Sequence, residues 1–341
     1  MNKLRLIQCG VGGMGDAWIN GATTKSPDFD LVAIVDVVPQ NLEKIGAQTG
    51  LAENRRFASL ESALEAVEAD AVLTVTPPPV HVQHARLTFA KGLHLLTEKP
   101  MGATMEDALE MARLARESGQ QLVVSQNYRY SAAMKKLADL MEEKPVGEFG
   151  HGHLDFYIPA DFTGSFRENM EHVLLIDMTI HHLDLIRAVT KRDIARVTAH
   201  SFRPKWSWYN GESALKMLLE LEGGGEFSYA GDWSGKGRAT SWSGNWRLQC
   251  EDGSIHCELD KISIARSERW GKNETIETVE TPPIALAAQA ATLSLFAQAI
   301  RTGVPAPISG EDNLKSFAAV MAGVKSAREK RAVSLDELLN P

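Results

Sequence analysis

The sequence contains little cysteine and no long apolar run. Its three cysteines, Cys9, Cys250 and Cys257, form no C-x-x-C pair and no even-numbered set. A disulfide framework is therefore not expected, which favours a reducing compartment. The opening MNKLRLIQCG is too short and too interrupted for a signal-peptide core. Because no apolar run approaches the length of a membrane span, we expect a soluble, cytoplasmic protein.

The sequence also lacks a basic cluster. It has 36 Lys and Arg against 44 Asp and Glu, a net charge of −8. Binding to nucleic acid or to an anionic membrane requires clustered Lys and Arg, so neither partner is expected. Hydrophobic residues make up 44% and charged residues 23% of the 341 residues. These values are ordinary for a globular protein, and the length is sufficient for two domains.

Glycine is concentrated near the beginning of the chain, in LRLIQCGVGGMG. Gly10, Gly12 and Gly15 fit G-x-G-x-x-G between an apolar strand pattern and a helix start. In a dinucleotide site the first glycine forms a tight turn, the second admits a pyrophosphate and the third lets helix and strand pack closely. We therefore predict cofactor contacts at all three and at Gly13 and Met14. The alternative is a glycine-rich turn without a ligand.

Asp36 ends the next apolar run, FDLVAIVDVVP. It follows Gly15 by 21 residues, a distance at which a carboxylate can accept hydrogen bonds from the adenosine ribose hydroxyls. No arginine follows before Arg55. A carboxylate with no neighbouring cation repels a 2′-phosphate, so NAD is preferred over NADP. Alternatively, Asp36 only ends a strand.

Further strand patterns cover 69–79, 93–100 and 121–129, and helical patterns cover 59–68, 80–91 and 104–118. This alternation predicts a parallel sheet with ligands at the carboxyl ends of its strands. The polar and turn residues at these ends are predicted to bind the cofactor: Thr76, Pro77, His81, Glu98, Lys99 and Asn127. We predict a Rossmann domain over 1–126 and a separate, substrate-binding domain over 127–341.

Lys99 follows a strand directly and precedes Pro100. A residue before proline is disfavoured in helical conformation, so the backbone at Lys99 is restricted. Near a cationic nicotinamide ring, like charge and desolvation would make the lysine a better proton acceptor. The alternative is an ordinary solvated surface charge.

A second chemical pattern is DMTIHHLDLIR at 177–187. On a regular helix, Asp177, His181 and Asp184 share one polar face, whereas His182 points among apolar neighbours. A buried carboxylate needs a partner. We therefore predict an Asp177–His181 pair facing a polar cavity. His182 is predicted to be a packing residue or a weaker substrate contact.

From about residue 128 the pattern changes. Residues 146–159 alternate like a strand, with His151, His153, Asp155 and Tyr157 on one face. Further strand candidates fill 194–261, which predicts an antiparallel sheet, and helical spacing returns from 284. Five of the seven tryptophans are clustered here: Trp206, Trp208, Trp233, Trp242 and Trp246. They suit either a sugar pocket or a subunit interface, and Trp206 and Trp208 are predicted substrate contacts.

The chain resembles the Gfo/Idh/MocA family, which includes glucose–fructose oxidoreductase and inositol 2-dehydrogenase. The resemblance depends on GVGGMG at 10–15, EKP at 98–100 and D-x-x-x-H-x-x-D at 177–184, in this order. The segment 309–335 is similar to a helix that returns near the sheet in the family. The resemblance implies an α/β fold, with an N-terminal Rossmann domain and a C-terminal α/β domain built on a large open, mostly antiparallel sheet. It also implies a homodimer or homotetramer formed through that sheet.

The resemblance further implies an NAD(P)-dependent oxidoreductase acting on sugars or cyclic polyols. The family lysine corresponds to Lys99, its aspartate to Asp177 and its histidine to His181. The family pattern has glycine where this chain has Thr179, so Thr179 is expected to alter the substrate wall. The histidines of HGH and HHLD could suit a metal, but the family requires none, and no metal site is predicted.

The resulting hypothesis is an NAD-dependent dehydrogenase that oxidises a hydroxyl of a sugar or cyclic polyol. His181 is the preferred base and Lys99 stabilises the alkoxide, although the opposite assignment is nearly as good. Asp177 would orient the substrate and His181, and Arg129 would line the pocket. Three alternatives are a keto-sugar reductase, an NAD-dependent glycoside hydrolase and a non-catalytic NAD-sensing subunit.

Overall fold

The computed structural model describes residues 2–340. These form two compact units. The first contains residues 2–127 and Leu286–Leu314, and the second contains Tyr128–Ala285 and residues 315–340.

The first unit is an alternation of strands and helices. Its strands are β1 (Leu4–Cys9), β2 (Phe29–Val35), β3 (Arg56–Phe57), β4 (Ala71–Thr74), β5 (His94–Thr97) and β6 (Leu122–Val124). Its α-helices are α1 (Met14–Gly21), α2 (Pro39–Thr49), α3 (Leu60–Ala66), α4 (His81–Ala90), α5 (Met105–Ser118) and, later in the chain, α8 (Ala288–Thr302). Short 3₁₀ turns cover Thr23–Lys25, Glu53–Arg55 and Pro78–Val80. A further 3₁₀ turn, Asn127–Tyr130, begins at the last residue of this part of the first unit and continues into the second.

The six strands form a parallel sheet in the order β3-β2-β1-β4-β5-β6. The strand order reverses between β1 and β4, and in such sheets the ligand crevice lies at the carboxyl ends of the strands beside this reversal. All four residues of β4 are buried, as expected for a strand covered on both faces. The predicted Rossmann sheet is confirmed.

Helix α8 belongs to the first unit, whereas the predicted domain boundary at 126/127 places this segment in the second domain. Phe296 of α8 stacks on Phe29 with 5.7 Å between ring centroids, and Arg301 donates a 2.5 Å hydrogen bond to Asp28. The apolar spacing of α8 predicts a helix with a buried face, but it does not specify which sheet that face packs against.

The second unit is built on one large sheet. Its strands are β7 (Phe149–Tyr157), β8 (Ile194–Phe202), β9 (Ala214–Leu221), β10 (Glu226–Asp232), β11 (Asn245–Cys250), β12 (Gly253–Glu258), β13 (Lys261–Arg266), β14 (Thr275–Val279) and β15 (Val333–Ser334). Its α-helices are α6 (Ala132–Glu143), α7 (Thr179–Thr190), α10 (Asp336–Leu339) and most of α9 (Gly310–Glu329), whose first turn belongs to the first unit. Short 3₁₀ turns cover Phe166–Asn169 and Arg269–Gly271.

Across the part of the chain that the structure describes, these nine strands have the order β14-β13-β12-β11-β7-β10-β9-β8-β15. β7 and β10 pair in parallel and every other neighbouring pair is antiparallel, which confirms the predicted mostly antiparallel sheet. Along β7, Leu154 and Phe156 are buried. His151, His153, Asp155 and Tyr157, which alternate with the buried residues, lie on the other, more exposed face, as their alternation predicts.

The segment before α7 departs from the regular helix that the sequence predicts. Leu174–Met178 is a π-helical turn and α7 begins at Thr179. The Thr179 hydroxyl donates a 2.9 Å hydrogen bond to the Leu174 carbonyl, five residues earlier. A π turn contains one residue more than an α turn, so Asp177 is rotated relative to its place on a regular wheel. The predicted regular helix through 177–187 is therefore wrong at its beginning.

Within residues 2–340, no helix combines the length and the apolar character that crossing a bilayer requires.

Candidate active site

The glycine-rich turn joins β1 to α1, and at Gly10 and Gly15 it has space for glycine only. Gly10 has φ +81°, and a Cβ atom there would lie 2.4 Å from the Val75 carbonyl oxygen. A Cβ atom at Gly15 would lie 2.1 Å from the Gly10 carbonyl oxygen. Both contacts are far shorter than van der Waals distance. The turn therefore packs directly against the backbone that follows β4, at the reversal of strand order.

Asp36 lies at the end of β2 and binds this turn. Its Oδ2 accepts hydrogen bonds from the backbone N–H groups of Val11 (2.9 Å) and Gly12 (3.2 Å). Its Oδ1 accepts from the backbone of Val38 (2.9 Å) and the side chain of Asn41 (3.2 Å). The carboxylate is therefore fixed beside the second glycine of the motif, where its charge acts on any group bound at the turn.

A cavity of about 480 Å³ opens beside Asp36. This volume lies in the usual range for small-molecule and cofactor sites. The cavity is lined by Cys9, Gly10, Gly12, Val35, Asp36, Val37, Ala58, Ser59, Leu60, Glu61, Val75, Thr76, Pro77, Val80 and His84. Glycines, a carboxylate at the end of β2 and apolar side chains together fit the adenosine and phosphate half of a dinucleotide. Of the predicted cofactor residues, Gly10, Gly12, Asp36, Thr76 and Pro77 line this cavity.

Two polar lining residues, Glu61 and His84, were not predicted from the sequence. His84 Nδ1 lies 2.8 Å from the Thr74 hydroxyl oxygen, which in turn lies 2.9 Å from that of Thr76. Burial lowers the pKa of His84 to about 4, so the imidazole is neutral at neutral pH. The sequence feature that could have identified His84 is its position one turn after His81 on the same helix, α4. Glu61 lies in the first turn of α3, two residues after the Ser59 cap, and belongs to no sequence motif.

His81 connects two turns of the first unit and is fully buried. Its Nε2 donates a 2.8 Å hydrogen bond to the Thr76 carbonyl, and its Nδ1 lies 3.1 Å from the Pro100 carbonyl oxygen. Burial lowers the pKa of His81. The residue therefore holds the turn after β4 against the turn after β5, and its own side chain does not line the cavity.

Glu98 and Lys99 occupy the turn after β5. Glu98 accepts hydrogen bonds from the indole of Trp18 (2.8 Å) and from the backbone of Lys99 (3.0 Å). Desolvation by the surrounding protein raises the pKa of Glu98. Because Trp18 lies on α1, this carboxyl group connects the first helix to the lysine turn. Neither Lys99 nor Met14, which is 55% exposed, lines the cavity. The same is true of Gly13 and Asn127.

In the second unit, Asp177 is bound by an arginine that the sequence analysis did not single out. Arg167 donates from Nε to Oδ2 (2.7 Å) and from Nη2 to Oδ1 (3.2 Å). Its guanidinium carbon lies 5.0 Å from the ring centre of Phe162 and 4.6 Å from that of Phe166. Asp177 is thus a carboxylate held on both oxygens by a cation that two aromatic rings support.

His181 is buried and stacks on Tyr128, with 4.2 Å between ring centroids and 9° between ring planes. The neighbouring Arg129 donates to both oxygens of Asp184, at 2.6 and 2.5 Å. Asp184 also accepts a 2.7 Å hydrogen bond from Ser316. Arg129, predicted to line the substrate pocket, is therefore committed to an ion pair inside the second unit.

His182 and Thr179 lie in the interior of the second unit, and both are fully buried. His182 lies 3.1 Å from the Tyr229 hydroxyl through Nδ1 and 3.0 Å from the Trp242 carbonyl through Nε2. Burial lowers the pKa of His182 to about 4. The Thr179 hydroxyl is directed to the Leu174 carbonyl, as described above. The prediction that His182 and Thr179 contact the substrate is not favoured by the complete burial of both side chains.

The five clustered tryptophans differ in exposure, and Trp208 is half-buried. Trp233 and Trp246 are buried, whereas Trp206 is 61% and Trp242 48% exposed. Trp208 donates a 3.0 Å hydrogen bond from its indole to the Ala160 carbonyl. Of the two predicted substrate contacts, Trp206 is therefore the more exposed.

One histidine of the HGH segment, His153, has two hydrogen-bond partners. His153 lies 2.7 Å from the Ser228 hydroxyl and 2.8 Å from the Asp155 carboxylate. Over residues 2–340, no cluster of three or more His, Cys, Asp or Glu residues is arranged to hold a metal ion.

Two family models match the chain. The model described as the oxidoreductase family with an NAD-binding Rossmann fold matches residues 4–126, and the model described as the GFO/IDH/MocA C-terminal domain matches residues 134–256. The matched ranges include the glycine-rich turn, Lys99, Asp177 and His181. The resemblance noted in the sequence is confirmed.

Individual relatives agree with these matches. D-apiose dehydrogenase from Paraburkholderia graminis is 28% identical over 98% of this chain and 90% of its own length. Inositol 2-dehydrogenase from Pseudarthrobacter chlorophenolicus is 27% identical over 80% of this chain and 79% of its own. The crystal structure of an oxidoreductase from Agrobacterium radiobacter, in complex with NAD⁺, L-tartaric acid and magnesium, shares the fold. It has a TM-score of 0.88 and 22% identity over 99% of this chain and 100% of that one. The chain therefore belongs to the Gfo/Idh/MocA family of NAD-binding oxidoreductases.

Proposed function

We propose that this oxidoreductase is an NAD-dependent dehydrogenase that oxidises a hydroxyl group of a sugar or cyclic polyol. The observation that carries the proposal is the cavity beside the glycine-rich turn, with Asp36 fixed at its edge. The names of two relatives, D-apiose dehydrogenase and inositol 2-dehydrogenase, support the substrate class.

The preference for NAD over NADP is supported by the charges at the cavity. Asp36 and Glu61 both line it, and the residues that follow Asp36, Val37 and Val38, are exposed and uncharged. A 2′-phosphate near two carboxylates is repelled, whereas ribose hydroxyls can donate to a carboxylate. The cavity lining contains no Lys or Arg that could compensate the phosphate charge.

When bound, the nicotinamide coenzyme supplies the hydride acceptor. The residues of this chain have to remove the proton of the substrate hydroxyl and stabilise the developing alkoxide. We assign proton removal to His181 and alkoxide stabilisation to Lys99, because a neutral imidazole accepts a proton at neutral pH and an ammonium group donates to an oxyanion.

Asp177 has a different role in this scheme. Both of its oxygens accept from Arg167, and an arginine partner favours the ionised form of a carboxylate. A carboxylate held in this way is a poor proton acceptor. We therefore assign Asp177 to orientation of the substrate and of His181, with Arg167 fixing its position.

The test is NADH formation against a panel of aldoses, inositols and branched sugars, repeated with NADP. Oxidation of NADH by the corresponding keto sugars measures the reverse direction. Lys99→Met and His181→Asn should retain NADH binding, measured by fluorescence, and lose activity by two to four orders of magnitude. Lys91→Met, at an exposed position of the first unit, is the matched control. Near-normal turnover in Lys99→Met or His181→Asn would overturn the role of that residue.

We also propose a homodimer or homotetramer formed through the more exposed face of the second sheet. Leu218 on β9 is 63% exposed on this face, in register with Ser228 of β10. An exposed leucine in a polar sheet face suits burial against a second copy. Leu218→Lys should reduce the mass measured by light scattering, and an unchanged mass would exclude Leu218 from the contact.

A further inference from the structure

We infer that Tyr128 is a positioning residue for His181: its ring fixes the plane of the imidazole that receives the substrate proton. This inference rests on the proposed function. It goes beyond that function by assigning a residue that lies outside the three family motifs.

The first observation is the geometry of the two rings. Their centroids are 4.2 Å apart and their planes differ by 9°. This is a parallel stack at close range, in which rotation of the imidazole out of its plane would collide with the tyrosine ring. His181 is 5% exposed, so little solvent-filled space is available for another ring orientation.

The second observation is the anchoring of the turn that carries Tyr128. Arg129, the next residue, donates two hydrogen bonds to Asp184, and the two side chains are 12% and 1% exposed. A bidentate arginine–carboxylate pair fixes direction as well as distance. Ser316 donates a further hydrogen bond to the same carboxylate. The turn is therefore anchored through Arg129 to a carboxylate that Ser316 also holds in place.

These contacts share a simple spacing. Tyr128 and Arg129 are adjacent in the turn, and their partners His181 and Asp184 are three residues apart on α7, where side chains share a face. The turn thus contacts one face of the helix at two successive points. An ion pair at one point aligns the stack at the other, and the energy of the buried pair resists displacement of the ring.

The stack also has an electrostatic consequence. An imidazole that accepts a proton becomes a cation lying against a π face, which is a favourable arrangement. Burial raises the pKa of Tyr128 to about 12, so the tyrosine ring itself stays neutral through the working range. Titratable or charged groups beside the stack in this unit include Asp177, which acts on Tyr128 and is paired with Arg167. They also include the Arg129–Asp184 pair and His182, the residue after His181.

The direct test is Tyr128→Leu, which removes the ring and keeps an apolar side chain. We expect kcat to fall at least tenfold with KM changed less than threefold, because a misdirected base affects the chemical step more than binding. The acid limb of the kcat profile should move to lower pH by about half to one unit, because the imidazolium loses its π partner. A residue that only filled space would not shift this limb.

Two further variants keep the test decisive if Tyr128→Leu folds poorly. Tyr128→Phe retains the ring and should keep kcat within about twofold. Arg129→Lys retains the ring and loses the bidentate pair, so it should lower kcat in the same direction. Loss of activity in Tyr128→Phe would show that the hydroxyl acts and the stack does not, which would overturn the inference. Unchanged kcat and pH profile in Tyr128→Leu would overturn it as well.

A ring deletion elsewhere provides the matched control. Phe202 stacks on His200 on β8, with 5.3 Å between centroids and 17° between planes. Phe202→Leu should leave the acid limb of the kcat profile where it is in the parent protein. A shift of that limb equal to the shift in Tyr128→Leu would contradict a specific effect of Tyr128.

A readout without turnover separates this inference from the proposed function. The ring current of Tyr128 should move the imidazole proton resonances of His181 upfield, and the shift should vanish in Tyr128→Leu and remain in Tyr128→Phe. If the parent protein oxidises no substrate of the panel, the proposed function fails, and these resonances still decide whether Tyr128 orients His181. Resonances that are equal in all three proteins would overturn the stack.

Discussion

Arg167 holds both carboxylate oxygens of Asp177, with Nε 2.7 Å from Oδ2 and Nη2 3.2 Å from Oδ1. The arginine comes from the Phe166–Asn169 turn and the aspartate from the π turn before α7. The orientation of the family aspartate in this chain therefore depends on a loop residue ten positions earlier. Arginine is well suited to this task because its planar fork matches the two oxygens.

Arg167→Met should lower kcat/KM about tenfold, which corresponds to about 1.4 kcal/mol. The expected cause is a carboxylate free to change its orientation, since methionine retains the apolar contact with the two phenylalanines. Steady-state kinetics on the best substrate of the sugar panel would measure the effect. Arg113→Met, which breaks the exposed pair with Glu117, is the control. An unchanged kcat/KM in Arg167→Met would remove Arg167 from the site.

Gly15→Ala should abolish NADH binding and destabilise the first unit. The added Cβ atom would lie 2.1 Å from the Gly10 carbonyl oxygen, so the turn has to move by more than 1 Å. We expect a loss of at least 2 kcal/mol in the free energy of unfolding, about the cost of overpacking a filled space. Urea unfolding and fluorescence titration with NADH would measure both effects.

Gly21→Ala is the matched control on the same helix, because nothing lies within 4 Å of its added Cβ atom. Alanine is favoured over glycine in helices, so this variant should be as stable as the parent protein or more so. Equal NADH affinity in Gly15→Ala and the parent protein would show that the turn does not contact the coenzyme.

Five of the six strands of the first sheet could be predicted because each is a short, largely buried apolar run that ends at a polar or glycine residue. The sixth, β3 (Arg56–Phe57), consists of two half-buried residues, and the sequence pattern predicts no strand there. The π turn at Leu174–Met178 could not, because a helical wheel assumes regular spacing. In the folded chain both the backbone N–H and the hydroxyl of Thr179 donate to the Leu174 carbonyl, and composition does not reveal this bonding.

The contacts of the site residues were harder to predict from the sequence than the π turn. Arg167 lies in a loop with no periodicity, and its approach to Asp177 depends on the folded path of that loop. His84 and Glu61 reach the cavity from α4 and α3, although neither belongs to a motif. Sequence patterns identify residues with a repeated local geometry, whereas these contacts depend on the packing of distant segments.

Asp36→Ser should change the choice of coenzyme. Removal of the carboxylate takes away the acceptor for ribose hydroxyls and lowers the repulsion of a 2′-phosphate. The KM for NAD should rise about tenfold and the KM for NADP should fall. Asp30→Ser on the same strand, where the aspartate is exposed and pairs with Lys3, should alter neither. A parent protein that already prefers NADP would overturn the argument from Asp36.

His182 should make the stability of the second unit depend on pH. Burial lowers its pKa in the folded protein to about 4, against about 6.5 in an unfolded chain. Between these values the unfolded chain binds more protons than the folded one, so the free energy of unfolding decreases as the pH falls from 6.5 to 4. The contribution of this one group over that window is about 3 kcal/mol.

His182→Gln should remove this part of the pH dependence. At pH 7 the variant should be less stable than the parent protein, because the contacts with Tyr229 and Trp242 are disturbed. The deficit should shrink by up to about 3 kcal/mol at pH 4, where the parent protein has lost the advantage of its neutral imidazole. Tyr229→Phe retains the imidazole, so it should be less stable at every pH and keep most of the slope. Urea unfolding at pH 7, 5.5 and 4.5 would measure all three proteins, and a deficit in His182→Gln that is constant over this range would contradict a buried neutral histidine.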